Sequence, residues 1–227
     1  MKEPVRAVIF DMYETLVTQL RSPLYYGTQI AGDLGLAPGE FLPGWRETEK
    51  DRSTGKLTFE NTMTQLMERH NLYSRDLHSR IAEKRMAFQR DCFRQLHPQI
   101  LPMLETLKEK GIRIGLITNC FSEEAALIRE SVLFPFFDAA CLSWEEGICK
   151  PDPVIFHTCL DRLAVPAESC LYVGDGGSRE LETAKSLGMQ PLQAVWYRQE
   201  AFEHCHEAIR PELPQLKRPM DLLTWIR

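Results

Sequence analysis

Ala7-Val8-Ile9-Phe10-Asp11-Met12-Tyr13-Glu14-Thr15-Leu16 opens the chain with a short apolar run that stops at an aspartate. A run of β-branched and aliphatic residues bounded by polar positions reads as a buried strand, predicted here over 6–10. Four more runs of this kind, at 113–117, 139–142, 170–173 and 192–195, alternate with longer segments of helical period. That alternation predicts an α/β fold: a doubly wound parallel sheet covered by helices. An open sheet of this type binds its ligands at the carboxyl ends of the strands, and Asp11 stands at such an end.

The strands are unevenly spaced. About 100 residues separate the first from the second, whereas a crossover needs only about a dozen. The intervening segment is rich in Leu, Met, Glu, Arg and Gln. It shows helical spacing at Phe59, Met63, Leu66 and Met67, and again at Ile81, Met86 and Phe88. Residues 20–96 are therefore expected to form a small helical insert, with 1–19 and 97–227 forming the core. Tyr25, Tyr26 and Trp45 are read as core of that insert. Beyond the last strand, 200–209 is predicted as a helix and 210–219 as a Pro-interrupted loop.

With 44% hydrophobic and 26% charged residues, the 227-residue chain has the composition of a soluble globular protein. No apolar run approaches the roughly 20 residues of a membrane span. The net charge of −5, with dispersed Lys and Arg, offers no basic stripe for nucleic acid. The first residues lack a signal-type apolar region, so the expected location is the cytoplasm. Seven cysteines without a Cys-x-x-Cys pair are read as reduced core thiols. Monomer and homodimer are both left open.

Four segments carry chemistry. Asp11, at a strand end, can attack phosphorus or carbon and form a covalent intermediate, or it can simply begin a turn. In Leu116-Ile117-Thr118-Asn119, a hydroxyl and an amide at the next strand end can bind a phosphoryl oxygen, or cap the following helix. In Lys150-Pro151-Asp152-Pro153, the lysine can neutralise nucleophile and phosphate, or lie in solvent. In Gly174-Asp175-Gly176-Gly177-Ser178-Arg179-Glu180, two acids beside a Gly pair offer hard oxygen ligands for magnesium, or an ordinary helix start.

Taken together and in this order, FDMYETL, LITN, KPDPVIF and YVGDGGSRE resemble the four motifs of the haloacid dehalogenase superfamily, and the insert matches the position of its helical C1-type cap. The resemblance implies a Rossmann-like core and a hydrolase, with a Mg2+-dependent phosphatase acting on a small phosphorylated metabolite as the leading expectation. It implies Asp11 as nucleophile, Lys150 as charge stabiliser, and Thr118 with Asn119 as substrate ligands. Asp11, the Tyr13 carbonyl, Asp175 and Glu180 are implied as the metal set.

One position departs from the pattern. Phosphatases of this superfamily carry a second aspartate, a general acid, where this chain has Tyr13. A phenol of pKa near 10 is a poor proton shuttle at neutral pH. Tyrosine there is similar to the 2-haloacid dehalogenases, in which halide leaves unprotonated and no metal is needed. Those enzymes resemble Ser-Ser-Asn in the fourth motif, and Gly174-Asp175 here argues for magnesium instead. A non-catalytic phosphometabolite-binding protein is the third reading.

Overall fold

Within Ala7-Val8-Ile9-Phe10, alternate side chains face opposite ways, as the two-residue period of a strand requires. Val8 and Phe10 enter one hydrophobic cluster and Ala7 and Ile9 enter another. A strand buried on both faces belongs in the middle of a sheet. The computed structural model, which describes residues 4–198 and 200–226, places it there.

The strands are β1 (Ala7–Phe10), β2 (Arg113–Thr118), β3 (Ala139–Leu142), β4 (Cys170–Gly174), β5 (Gln190–Ala194) and β6 (Gln215–Leu216). All pairings are parallel, in the order β3-β2-β1-β4-β5-β6. The chain crosses from β1 to β2 on one side and returns to β4 on the other, so the topological switch point lies beside β1. The five predicted strands agree with the structure to within two residues at each end.

The insert contains α1 (Gly27–Asp33), α2 (Pro38–Glu47), α3 (Glu49–Ser53), α4 (Phe59–Arg69) and α5 (Arg75–Arg94). The Thr58 and Ser74 side chains cap α4 and α5 by accepting from Asn61 N and Leu77 N. These helices bury their own cluster, in which Phe41, Phe59, Met63, Leu66, Ile81 and Phe88 are central. Tyr25 belongs to that cluster and Tyr26 and Trp45 pack on it. Met86, read as part of the apolar stripe, is only half-buried. Arg85 is buried beside it.

Five helices complete the core: α6 (Ile100–Glu109), α7 (Ser122–Glu130), α8 (Ser143–Glu146), α9 (Pro153–Leu163) and α10 (Glu180–Ser186). α6 and α7 cover the sheet face carrying Val8 and Phe10, and α9 and α10 cover the face carrying Ile9 and Tyr172. Five of the cysteines are buried, Cys149 is half-buried and Cys205 exposed, and all seven are free thiols. Among the described residues no helix is long and apolar enough to cross a membrane.

The C-terminal segment departs from the sequence reading. The expected helix 200–209 is a short 3-10 stretch, Glu200–Cys205, broken at Phe202. Beyond it the Gln193 side chain claims the main chain: its Nε2 donates to Ala208 O (2.9 Å) and its Oε1 accepts from Arg210 N (2.8 Å). Those groups are thereby withdrawn from any helical ladder. The predicted loop also contains β6, an edge strand preceded by Pro214, whose missing N–H costs nothing at that position.

Candidate active site

Phe10 pairs with Leu116 of β2 and with Val173 of β4, so three neighbouring strands end side by side. Asp11 follows the first, Thr118 closes the second and Asp175 follows the third. Asp11 N donates to Val173 O at 2.9 Å, which fixes Asp11 against β4. The loop after Asp11 is held by the far end of the sheet. Trp196 Nε1 donates to Thr15 O (2.9 Å) and Tyr197 Oη donates to Leu16 O (3.0 Å). These two residues, from the segment after β5, were not singled out in the sequence.

Lys150 reaches this edge from the crossover between β3 and β4. Its Nζ donates to Asp11 Oδ1 and to Glu180 Oε2, each at 2.5 Å. The lysine is 6% exposed, far from the solvated surface residue that was its ordinary alternative. Burial disfavours its charge, but Asp11 and Glu180 outweigh that and hold its pKa above the usual lysine value.

Asn119 accounts for the placing of Lys150. Its Oδ1 accepts from Lys150 N (2.7 Å), and its Nδ2 donates to Lys150 O (3.0 Å) and Ser178 Oγ (3.1 Å). The amide is thus committed to protein, and only its main-chain N–H is left for substrate. Thr118 is fully buried, and its hydroxyl donates to Asn119 O at 3.3 Å.

Carboxylate oxygens of Asp11, Asp175 and Glu180 lie within 4.8 Å of one another. Among the described residues, the cation paired with these acids is Lys150. Burial first, and then the Asp11 charge, raise Asp175 to about 7 and Glu180 to about 8. A cluster of hard oxygen donors with two positive charges too few suits a divalent cation such as magnesium. Asp175 is the better placed donor: Gly177 N donates to its Oδ1 at 2.9 Å. Both oxygens of Glu180 are occupied, Oε2 by Lys150 and Tyr172 Oη (2.9 Å) and Oε1 by Gly176 N (3.2 Å).

Glu180 also explains a glycine. A Cβ on Gly174 would fall inside the Glu180 carboxylate, 2.7 Å from its carbon. Gly174→Ala is therefore expected to displace Glu180 and loosen Lys150, lowering kcat by roughly tenfold or more. The overpacking should cost about 1–3 kcal/mol of stability. Steady-state kinetics and thermal melting check both.

Tyr13 follows Asp11 by two residues, in a turn where Met12 O accepts from Leu16 N (2.8 Å) and Val17 N (3.0 Å). Its hydroxyl is buried with no hydrogen-bond partner. Burial, then the charge of Glu124, push its pKa well above the usual phenol value. On the opposite side a small cleft is lined by Glu14, Asp175, Tyr197, Arg198, His206 and Glu207. His206, in the segment predicted as a helix, thus lines this cleft with Asp175, while His204 is exposed.

A model of haloacid dehalogenase-like hydrolases matches residues 5–188. The chain belongs to the haloacid dehalogenase-like hydrolase family. It is 29% identical over 133 residues to a glyceraldehyde 3-phosphate phosphatase of Methanopyrus kandleri, a match covering 58% of this chain and 56% of that protein. The chain thus spans about half the length of this curated relative. Two solved structures share the fold across 97% of both chains: a HAD phosphatase from Thermococcus onnurineus (TM-score 0.67, 19% identity) and a 2-haloacid dehalogenase from Pseudomonas syringae (TM-score 0.69, 24% identity). At such identities the likeness concerns the fold alone. As a family member the protein is a haloacid dehalogenase-like hydrolase.

Proposed function

We propose that the protein is a magnesium-dependent phosphatase that hydrolyses a small phosphorylated metabolite through an aspartyl-phosphate on Asp11. The observation that carries this reading is the acidic cluster of Asp11, Asp175 and Glu180 with Lys150 as its single counter-charge. A dehalogenase has no need of such a set.

Asp11 attacks phosphorus, the bond from phosphorus to the leaving oxygen breaks, and an acyl phosphate forms. Water then attacks the same phosphorus, releasing inorganic phosphate and restoring the carboxylate. Lys150 offsets the charge of Asp11 and of the phosphoryl oxygens, and Thr118 and the Asn119 N–H bind those oxygens. Asp11, Asp175 and the Tyr13 carbonyl would hold magnesium directly and Glu180 through water. Bound there, the ion would supply further positive charge to the phosphoryl group. Glu180, with both oxygens engaged, acts chiefly as a positioning residue for Lys150. Residues 20–96 serve as a cap that excludes water during the reaction.

Because Tyr13 replaces the general acid, the leaving group has no matched proton donor. Aryl and acyl phosphates are expected to exceed alkyl phosphates in kcat by on the order of 10² to 10⁴. Phosphate release from p-nitrophenyl phosphate, acetyl phosphate and glycerol phosphate tests this, with and without magnesium and with a chelator. Equal alkyl and aryl rates would overturn the role given to residue 13.

Tyr13 favours one other reading, dehalogenation of a short 2-halo acid. That reading requires halide release from 2-chloropropionate that persists in chelator, and phosphate release lost in chelator counts against it.

A further inference from the structure

The insert is joined to the core by two connectors, one leaving after the turn at 12–17 and one returning at His97. Tyr197 touches both. It follows β5 in the core and is 1% exposed. Its hydroxyl donates to Leu16 O (3.0 Å) and accepts from His97 N (2.9 Å). A phenol both donates and accepts, so a single oxygen can close both bonds. The ring repeats the pattern. The Arg21 guanidinium, on the outgoing connector, lies 5.3 Å from its centre, and the His97 ring meets it edge-on with centres 6.3 Å apart. Trp196 adds a hold on the outgoing side alone, through Nε1 to Thr15 O (2.9 Å).

The outgoing connector is continuous with the turn that follows Asp11. Met12 O accepts from Leu16 N and Val17 N, and Tyr13 pairs with Val17 in an isolated β-bridge. Further along, the Glu14 carboxylate accepts from Thr18 Oγ1 (2.7 Å) and Gln19 N (2.8 Å). Gln19 in turn grips the insert, its Nε2 donating to Gln89 Oε1 (3.3 Å) and its Oε1 accepting from Tyr26 Oη (2.5 Å). A displacement of the insert is therefore carried back along the chain toward residue 13 unless a fixed point intervenes. The bond from Tyr197 to Leu16 lies on that path, and β5, between β4 and β6, gives it a rigid base.

We propose that Tyr197 is a positioning residue, which pins both connectors of the insert to the core at one oxygen and so holds the turn beside Asp11 in place when the insert moves. Its effect on kcat rests on the phosphatase reading of Asp11; the clamp itself does not. A tyrosine kept for packing alone would need its ring, whereas here the hydroxyl makes both main-chain bonds.

Tyr197→Phe keeps the ring and deletes both bonds. Hydrogen–deuterium exchange read by mass spectrometry should quicken roughly 10-fold in peptides covering 15–22 and 95–99 together, the change expected of a lost hydrogen bond, and stay unchanged in 113–118 and 170–174. Trp196→Phe should quicken 15–22 alone. Tyr25→Phe is the control: it removes a tyrosine bond within the insert, from Oη to Asp33 Oδ2 (2.6 Å), and should move neither connector nor kcat. With p-nitrophenyl phosphate, kcat of Tyr197→Phe should fall roughly 10-fold while KM changes less than about twofold. Quickening at one connector only, at neither, or throughout the chain would overturn the inference, as would an unchanged kcat. Should Tyr197→Phe not fold, the wild type decides: the His97 N–H, on a half-buried residue, should resist exchange when followed by NMR, and an unprotected His97 amide would overturn the clamp. A wild type that releases no phosphate would count against the role of Asp11, and the exchange result alone would then decide the clamp.

Discussion

Asp11→Asn is expected to lower phosphate release by more than about 10⁴-fold, with kcat carrying the loss and KM changing little. The substitution keeps the size of the side chain and removes its nucleophilic charge. It also removes one of the two negative charges facing Lys150, but Glu180 still holds that ammonium at 2.5 Å. Three clustered acids then become two beside the same cation, so the folded protein should be no less stable than the wild type. Kinetics and thermal melting on one preparation separate these effects. Retention of even a tenth of the activity would remove Asp11 from the chemistry.

Arg85→Met is expected to cost about 3–5 kcal/mol, because it leaves two buried glutamates without their cation. Arg85 is 1% exposed and ties α5 to α7, with Nε on Glu123 (3.0 Å) and Nη2 on Glu124 (2.8 Å). Its Nη1 donates to Tyr25 O (3.1 Å), which anchors the start of the insert as well. In a chain of this size the loss corresponds to roughly a 10 °C fall in Tm. Removing the stranded charges too, as Arg85→Met with Glu123→Gln and Glu124→Gln, should recover most of it.

The exposed pair Lys84–Asp33 provides the contrast, since Lys84→Met should cost less than about 1 kcal/mol. The pH dependence has a defined sign. Burial already raises Glu124 to about 7, and loss of Arg85 raises it further. Between the unfolded and folded pKa values the native state then holds more protons than the unfolded chain, so stability falls as pH rises. The deficit of Arg85→Met should therefore be smaller at mildly acidic pH than at neutral pH.

The sheet was legible because short apolar runs such as Ala7-Val8-Ile9-Phe10 and Leu171-Tyr172-Val173 alternate with segments of helical period, and the site because an open parallel sheet collects strand-end residues at one edge. Asp11, Thr118 and Asp175 needed only the strand order to come together, and Lys150 needed only the crossover. β6 was missed because a two-residue edge strand carries no periodicity. The tail helix was misread: the segment forms only the 3-10 stretch Glu200–Cys205, and beyond it the Gln193 side chain binds the main chain at Ala208 and Arg210.

Arg85, Glu123 and Glu124 went unread for a different reason: charged residues on helices ordinarily face water. A signal was nevertheless present. Arg85 lies four residues after Ile81 and three before Phe88, on the buried face of α5. Asn119 was read as a substrate ligand, but its side chain is engaged by the Lys150 main chain, which the sequence places 31 residues away.

The central claim is the covalent intermediate on Asp11. Its most direct test is to mix the protein with acetyl phosphate and magnesium, quench in acid within the first turnovers and map the peptides by mass spectrometry. The account predicts one phosphoryl group on the peptide containing Asp11, at Asp11 itself, removed by hydroxylamine and missing from Asp11→Asn. Steady phosphate release with Asp11 unmodified at every quench time would contradict it.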